Sequence, residues 1–124
     1  MKKYITGDLL HYKICNAKYL IEVTNTSKYG YCFKGVKDNF NGVICDEFIE
    51  DIPLTPEILE KNGWKKDKDG YFNDSYHIRL CKSNTNYAAY KVVNNSIVWL
   101  RAVENVPDLQ HLLFGLDISL KIEV

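Results

Sequence analysis

The segment Thr55-Pro-Glu-Ile-Leu-Glu-Lys-Asn-Gly63 is a short helix with its own start and stop signals, and β-type sequence lies on both sides of it. Thr55 is able to accept from the first free backbone N–H groups, and Pro56 suits the first helical position. Glu57 and Glu60 favour the helix N-terminal half, and Gly63 ends the helix with positive φ. A capped helix between two β regions constrains the chain to an α+β fold. At 124 residues with 46% apolar content, the length suits one compact domain, residues 1–124, made of a β-rich half to residue 52 and a helix, meander, helix and strand from residue 53.

Before the helix, Leu9–Cys15, Lys18–Thr24, Gly30–Val36 and Gly42–Ile49 read as strands joined by tight turns. Short strands without helical crossovers predict a small curved antiparallel sheet or partial barrel. After the helix, Asp69-Gly70 predicts a hairpin that brings Trp64 and Lys65 back toward Tyr71 and Phe72. Tyr76–Lys82, Tyr87–Val93 and Ile97–Val103 then form a three-stranded antiparallel meander, with Asn94-Asn95-Ser96 in its last link, where asparagine tolerates positive φ. Asn105 caps a second helix with Pro107 in its first turn. Val106, Leu109, Leu112, Leu113 and Leu116 form its apolar stripe. The alternating Ile118–Val124 predicts a final edge strand.

Sixteen basic residues balance sixteen acidic ones, so no global field favours long nucleic acid or an anionic membrane. No apolar run reaches the roughly 20 residues of a membrane span, and the N-terminus has no apolar signal core. These features point to a cytoplasmic protein. Cys15, Cys32, Cys45 and Cys81 are 17, 13 and 36 positions apart, without a Cys-x-x-Cys pair. Free buried thiols are the favoured reading, over two disulfides or a metal site of Cys15, Cys32, Cys45 and His11. No resident metal or cofactor is expected.

The Pro53-Leu-Thr-Pro-Glu-Ile-Leu-Glu-Lys-Asn-Gly-Trp64 helix and the later Leu109-Gln-His-Leu-Leu-Phe114 helix together resemble a group of short uncharacterised proteins common in Bacteroidota genomes, phages and prophages. The shared order runs over roughly residues 43 to 124, with close matching in the two helices. Family members often carry a histidine where Val106-Pro107-Asp108 stands here and an asparagine at the place of His111, so no functional histidine carries over. The resemblance implies a setting, that of an accessory gene of a phage or mobile element, whose small products often bind host defence components or their nucleotide signals.

No phosphate loop, zinc helix, nucleophile elbow or EF-hand loop is present. His11, His77 and His111 are far apart in sequence, and a structural or surface role is favoured for each over catalysis. The acidic run Asp46–Asp51 reads as a solvated strand end rather than a cation site.

Only two of the sixteen cations are arginines, Arg79 and Arg101, and arginine is the better fork for phosphate. Strand parity places Tyr76, Ile78, Leu80, Tyr90, Val92, Val98, Leu100 and Ala102 on the core face. It places His77, Arg79, Cys81, Ala89, Lys91, Trp99 and Arg101 on the opposite one. A face with Arg79, Arg101, Lys91, Trp99 and His77 suits an anion with a stacked ring, although exposed arginines over a packed indole give a plainer account of it.

Nine tyrosines also favour recognition over catalysis. The expected function is therefore non-enzymatic: a homo-oligomeric accessory protein that sequesters a small anionic or nucleotide-type ligand. The rival is a protein–protein interaction module acting on a host protein through a sheet edge or the outer face of the second helix, around Gln110, His111 and Phe114. A small hydrolase using His77 or His111 ranks third.

Overall fold

The structure, a computed structural model, describes residues 4–124. It is α+β, with two five-stranded antiparallel sheets and two helices. The chain divides into two compact units between Ile52 and Pro53.

In the first unit, β1 (Leu9–Ile14), β2 (Ala17–Ser27), β3 (Gly30–Gly35) and β4 (Asn41–Ile44) form successive hairpins. A 3-10 turn at Asp46–Phe48 interrupts the strand expected over Gly42–Ile49, and β5 (Ile49–Glu50) pairs with β1. The sheet order is β4-β3-β2-β1-β5, an open sheet rather than a closed barrel. Tyr4, Leu10, Ile21, Val23, Tyr31, Phe33 and Ile44 form its core. Removing these apolar surfaces from water is the main force stabilising the sheet.

The second unit begins with α1 (Pro56–Lys61), whose ends match the sequence signals. Ile58 N–H donates to Thr55 Oγ1 at 3.3 Å. At the other end, Trp64 N–H donates to the Leu59 carbonyl and Gly63 N–H to that of Glu60, with Gly63 at φ +86°. These two bonds satisfy carbonyls that a helix end would otherwise leave open.

Next come β6 (Lys65–Asp67), β7 (Gly70–Asn73), β8 (Ile78–Ser83), β9 (Asn86–Val93) and β10 (Ser96–Val103), in the order β10-β9-β8-β7-β6. The expected three-stranded meander is thus five-stranded, because the hairpin at Asp69-Gly70 joins the same sheet. A two-residue turn, Asn94 (φ 46°) and Asn95 (φ 68°), links β9 to β10. Positive φ at both positions matches the right-handed twist of the flanking strands.

α2 (Val106–Gly115) starts with Asp108 N–H donating to Asn105 Oδ1 at 2.9 Å. It buries Val106, Leu109, Leu112 and Leu113, whereas Leu116 is the half-buried C-cap. Leu59, Trp64, Tyr71, Ile78, Leu80, Tyr87, Ala89 and Val103 are buried in the same unit.

The final edge strand is a correction, since Ile118–Val124 forms no strand. Ile122 is buried, and Glu123 exchanges two hydrogen bonds of 2.7 Å with the Asn62 side chain. That amide, at the C-cap of α1, satisfies the backbone that a neighbouring strand would have served. All four cysteines are free, as expected, but none is buried. Cys15 and Cys45 are exposed, at a turn and beside the 3-10 turn, and Cys32 and Cys81 are half-buried. No helix among the described residues is long and apolar enough to cross a membrane.

Candidate functional site

Strand register in the second sheet decides which side chains share a face, because directly opposed residues of an antiparallel pair point the same way. Lys65 opposes Phe72, Phe72 opposes Arg79, Arg79 opposes Tyr90, and Tyr90 opposes Trp99. One row of five side chains therefore crosses all five strands. Beside it runs a second row, Asp67, Gly70, Cys81, Ala88 and Ala102. None of these ten residues is buried, so this face is uncovered.

The opposite face carries Tyr71, Ile78, Leu80, Tyr87, Ala89 and Val103, all buried. It also carries Lys91, opposite Ile78, and Arg101, opposite Ala89. The expected grouping of Arg79, Lys91, Trp99 and Arg101 on one face is thus corrected. Two local events cause the difference. In β9 the small Ala89 is the buried residue and Tyr90 the outward one, which reverses the expected parity of that strand. In β10 the register shifts between Trp99 and Arg101, leaving Leu100 as an inserted residue and placing its two neighbours on opposite faces.

Each cation is also engaged. Arg79 Nη1 bonds Asp67 Oδ2, and its guanidinium lies 5.3 Å from the Phe72 ring centroid. Arg101 Nη2 donates to Asp108 Oδ1 at 3.2 Å, tying β10 to α2. Lys91 Nζ donates to the Tyr76 carbonyl. The Asp67 carboxyl is held below its usual range by the Asp69 amide first and the Arg79 guanidinium second. On the uncovered face the charge of Arg79 is balanced by Asp67.

His77 lies outside β8, which starts at Ile78 rather than at the expected Tyr76. It is exposed in a turn at φ 55°, and its carbonyl accepts from the Val92 amide at 2.8 Å. The structure brings Arg79 and Trp99 into one row and separates Lys91, Arg101 and His77 from it. Phe72 and Tyr90 belong to that row and were missed in the sequence. The Asp-Gly hairpin signal, carried through to the pairing of Lys65 with Phe72, points to Phe72.

The described residues also line two depressions. One, of about 650 Å³, is lined by Thr26–Tyr31, Cys45 and Asp46. The other, of about 250 Å³, has Lys66, Lys68 and Lys82 at its wall with Asp67, Asp69, Tyr71 and Tyr87. Lys82 Nζ sits 4.8 Å from the Tyr87 ring centroid. Among the described residues no group of three or more His, Cys, Asp or Glu side chains is placed to hold a metal ion. On α2, Phe114 is 75% exposed.

No protein-family model, curated protein or solved structure matches this chain.

Proposed function

We propose that this chain is a non-catalytic accessory protein that binds a partner protein through the uncovered face of its second sheet, in the phage or mobile-element setting implied by the family resemblance. The observation that carries this reading is the row Phe72–Arg79–Tyr90–Trp99 on four adjacent strands. Tryptophan, tyrosine and arginine are the residues that dominate binding energy at protein interfaces. Rigid strands hold them at fixed spacing. Trp99 is 60% exposed and Ile97, two residues away on β10, 65%, so a partner would cover a large apolar area. Arg79 is already neutralised by Asp67, which favours a mostly apolar, hydrogen-bonding surface over a free anion.

The test is affinity capture from host cells with the wild type and with a Tyr90→Ala/Trp99→Ala variant, followed by reconstitution with the purified partner. The expected result is a direct complex with the wild type and its loss with the variant, at unchanged circular dichroism. A partner that binds both equally removes this surface from the function.

The small-anion or nucleotide reading keeps one specific support. Trp99 and Arg79 are separated by one intervening strand, roughly 10 Å at normal strand spacing, which suits a ring on the indole and a phosphate at the guanidinium. Such a ligand has to displace Asp67 from Arg79. Titration of nucleotides against Trp99 fluorescence, repeated on Asp67→Asn, decides this reading: tighter binding by the variant supports it, and no response from either protein removes it.

A further inference from the structure

We propose that β10 pairs antiparallel with β10 of a second copy of this chain, about a twofold axis at Val98, to form one continuous ten-stranded sheet. This inference concerns the sheet edge and does not rest on the function proposed for the face.

The four sheet edges differ in how they are protected. β4 has four residues, β5 two, and β6 three, with the sequence Lys-Lys-Asp. Short or charged edges resist pairing with another chain. β10 is different, with eight residues and no charge from Ser96 to Leu100. Ile97, Val98 and Trp99 on it are 65%, 49% and 60% exposed.

Backbone alternation fixes which groups that edge offers. The Val92 amide is spent on β8, through the His77 carbonyl. Its neighbour Lys91 therefore points its N–H and C=O at β10, where it opposes Val98. Val98 accordingly turns its own backbone groups inward, to β9. Ile97 and Trp99, on either side, present theirs to the open edge.

A twofold axis at Val98 sets Ile97 opposite Trp99 of the second copy, and Trp99 opposite Ile97 of the second copy. The backbone N–H and C=O groups of Ile97 and of Trp99 are then all paired at once. The same register puts an aromatic beside a β-branched side chain twice on one face, a favourable cross-strand combination. On the other face Val98 meets its own counterpart. Because a twofold axis sets each residue near its own copy, an uncharged strip suits a second copy, whereas a charged one would repel itself.

Sedimentation measurements over a concentration series test the pairing. The wild type is expected at the mass of two chains, dissociating on dilution, and Val98→Lys at the 14.4 kDa of one. Val98→Lys mixed with Val98→Glu is expected to restore the two-chain mass. Ile97→Glu is the second variant should Val98→Lys lose its circular dichroism, and it too is expected as a single chain. A wild type that stays single at its highest soluble concentration overturns the proposal. So does a dimer that survives folded Val98→Lys or Ile97→Glu, or a charge-swapped mixture that does not pair. Val98 lies on the face opposite Trp99, so Val98→Lys leaves the Phe72–Trp99 row intact, and capture of the partner protein by this variant reports on the function separately.

Discussion

Trp99 and Arg101, two positions apart on β10, lie on opposite faces of their sheet because Leu100 is inserted between them without a partner on β9. An uninterrupted strand would put both on one side. The inserted residue gives the two side chains different duties: Arg101 reaches Asp108 on α2, and Trp99 stands in the uncovered row. Arg101→Ala should therefore cost up to about 1 kcal/mol of stability, the range for a part-exposed ion pair, and leave partner binding intact. Trp99→Ala should change stability by about 0.5 kcal/mol or less and abolish partner binding. Urea unfolding alongside a binding assay checks both halves.

The Asp67–Arg79 pair couples the row to pH. Asp67 has a lowered pKa in the folded state, owing first to the Asp69 amide and then to Arg79. Its contribution is therefore present above the unfolded carboxylate value, about 3.9, and is lost as pH falls through the lower folded value. Asp67→Asn should remove that part of the acid sensitivity. It should keep the turn, since an amide oxygen is still able to accept from the Asp69 and Gly70 N–H groups that now bond Asp67 Oδ1. Urea midpoints between pH 5 and pH 2 measure the difference.

His11 gives the first unit a pH response of its own. Burial, followed by Lys18, lowers its pKa, and Glu50 opposes the shift only in part; its Nδ1 is buried without a hydrogen-bond partner. The unfolded chain takes up the proton near pH 6.5, whereas the folded chain does so only at lower pH. Unfolding therefore binds a proton in that window, and stability should fall as pH drops below about 6.5. Replacing His11 by Gln should flatten urea midpoints between pH 7.5 and pH 5.

Gly70 begins β7 at φ +151°, where an added Cβ would lie 2.0 Å from the Leu80 carbonyl oxygen. Backbone cannot yield there without breaking the β7–β8 pairing. Gly70→Ala should cost at least about 2 kcal/mol. Asn95→Gly should instead stabilise by a few tenths of a kcal/mol, about the gain of an Asn-Gly turn with two positive φ angles. Thermal unfolding of the two variants separates these signs.

Both helices and the Asn94-Asn95 turn were legible because their signals are local: Thr55 and Asn105 cap, Gly63 terminates, and paired asparagines accept positive φ. Strand faces were less legible. Choosing the larger Tyr90 and Val92 for the core gave the wrong parity for β9, since the small Ala89 is the buried residue there. Nothing in Val98-Trp-Leu-Arg101 marks an inserted residue, which arises from pairing with a strand that the segment itself does not encode. The expected last strand failed for a related reason. Its alternating pattern is real, with Ile122 buried, but Asn62 occupies the backbone of Glu123. Two of the five expected site residues, Arg79 and Trp99, lie in the row, because the expected β8 parity holds from Ile78 onward and Trp99 precedes the bulge.

The most direct measurement compares partner binding by Trp99→Ala with that by Arg101→Ala, two variants of one strand whose side chains leave opposite faces. With the purified partner in calorimetry, Arg101→Ala should bind like the wild type and Trp99→Ala should show no detectable heat. The reverse pattern, with Arg101 required and Trp99 dispensable, would contradict the assignment of recognition to the uncovered face.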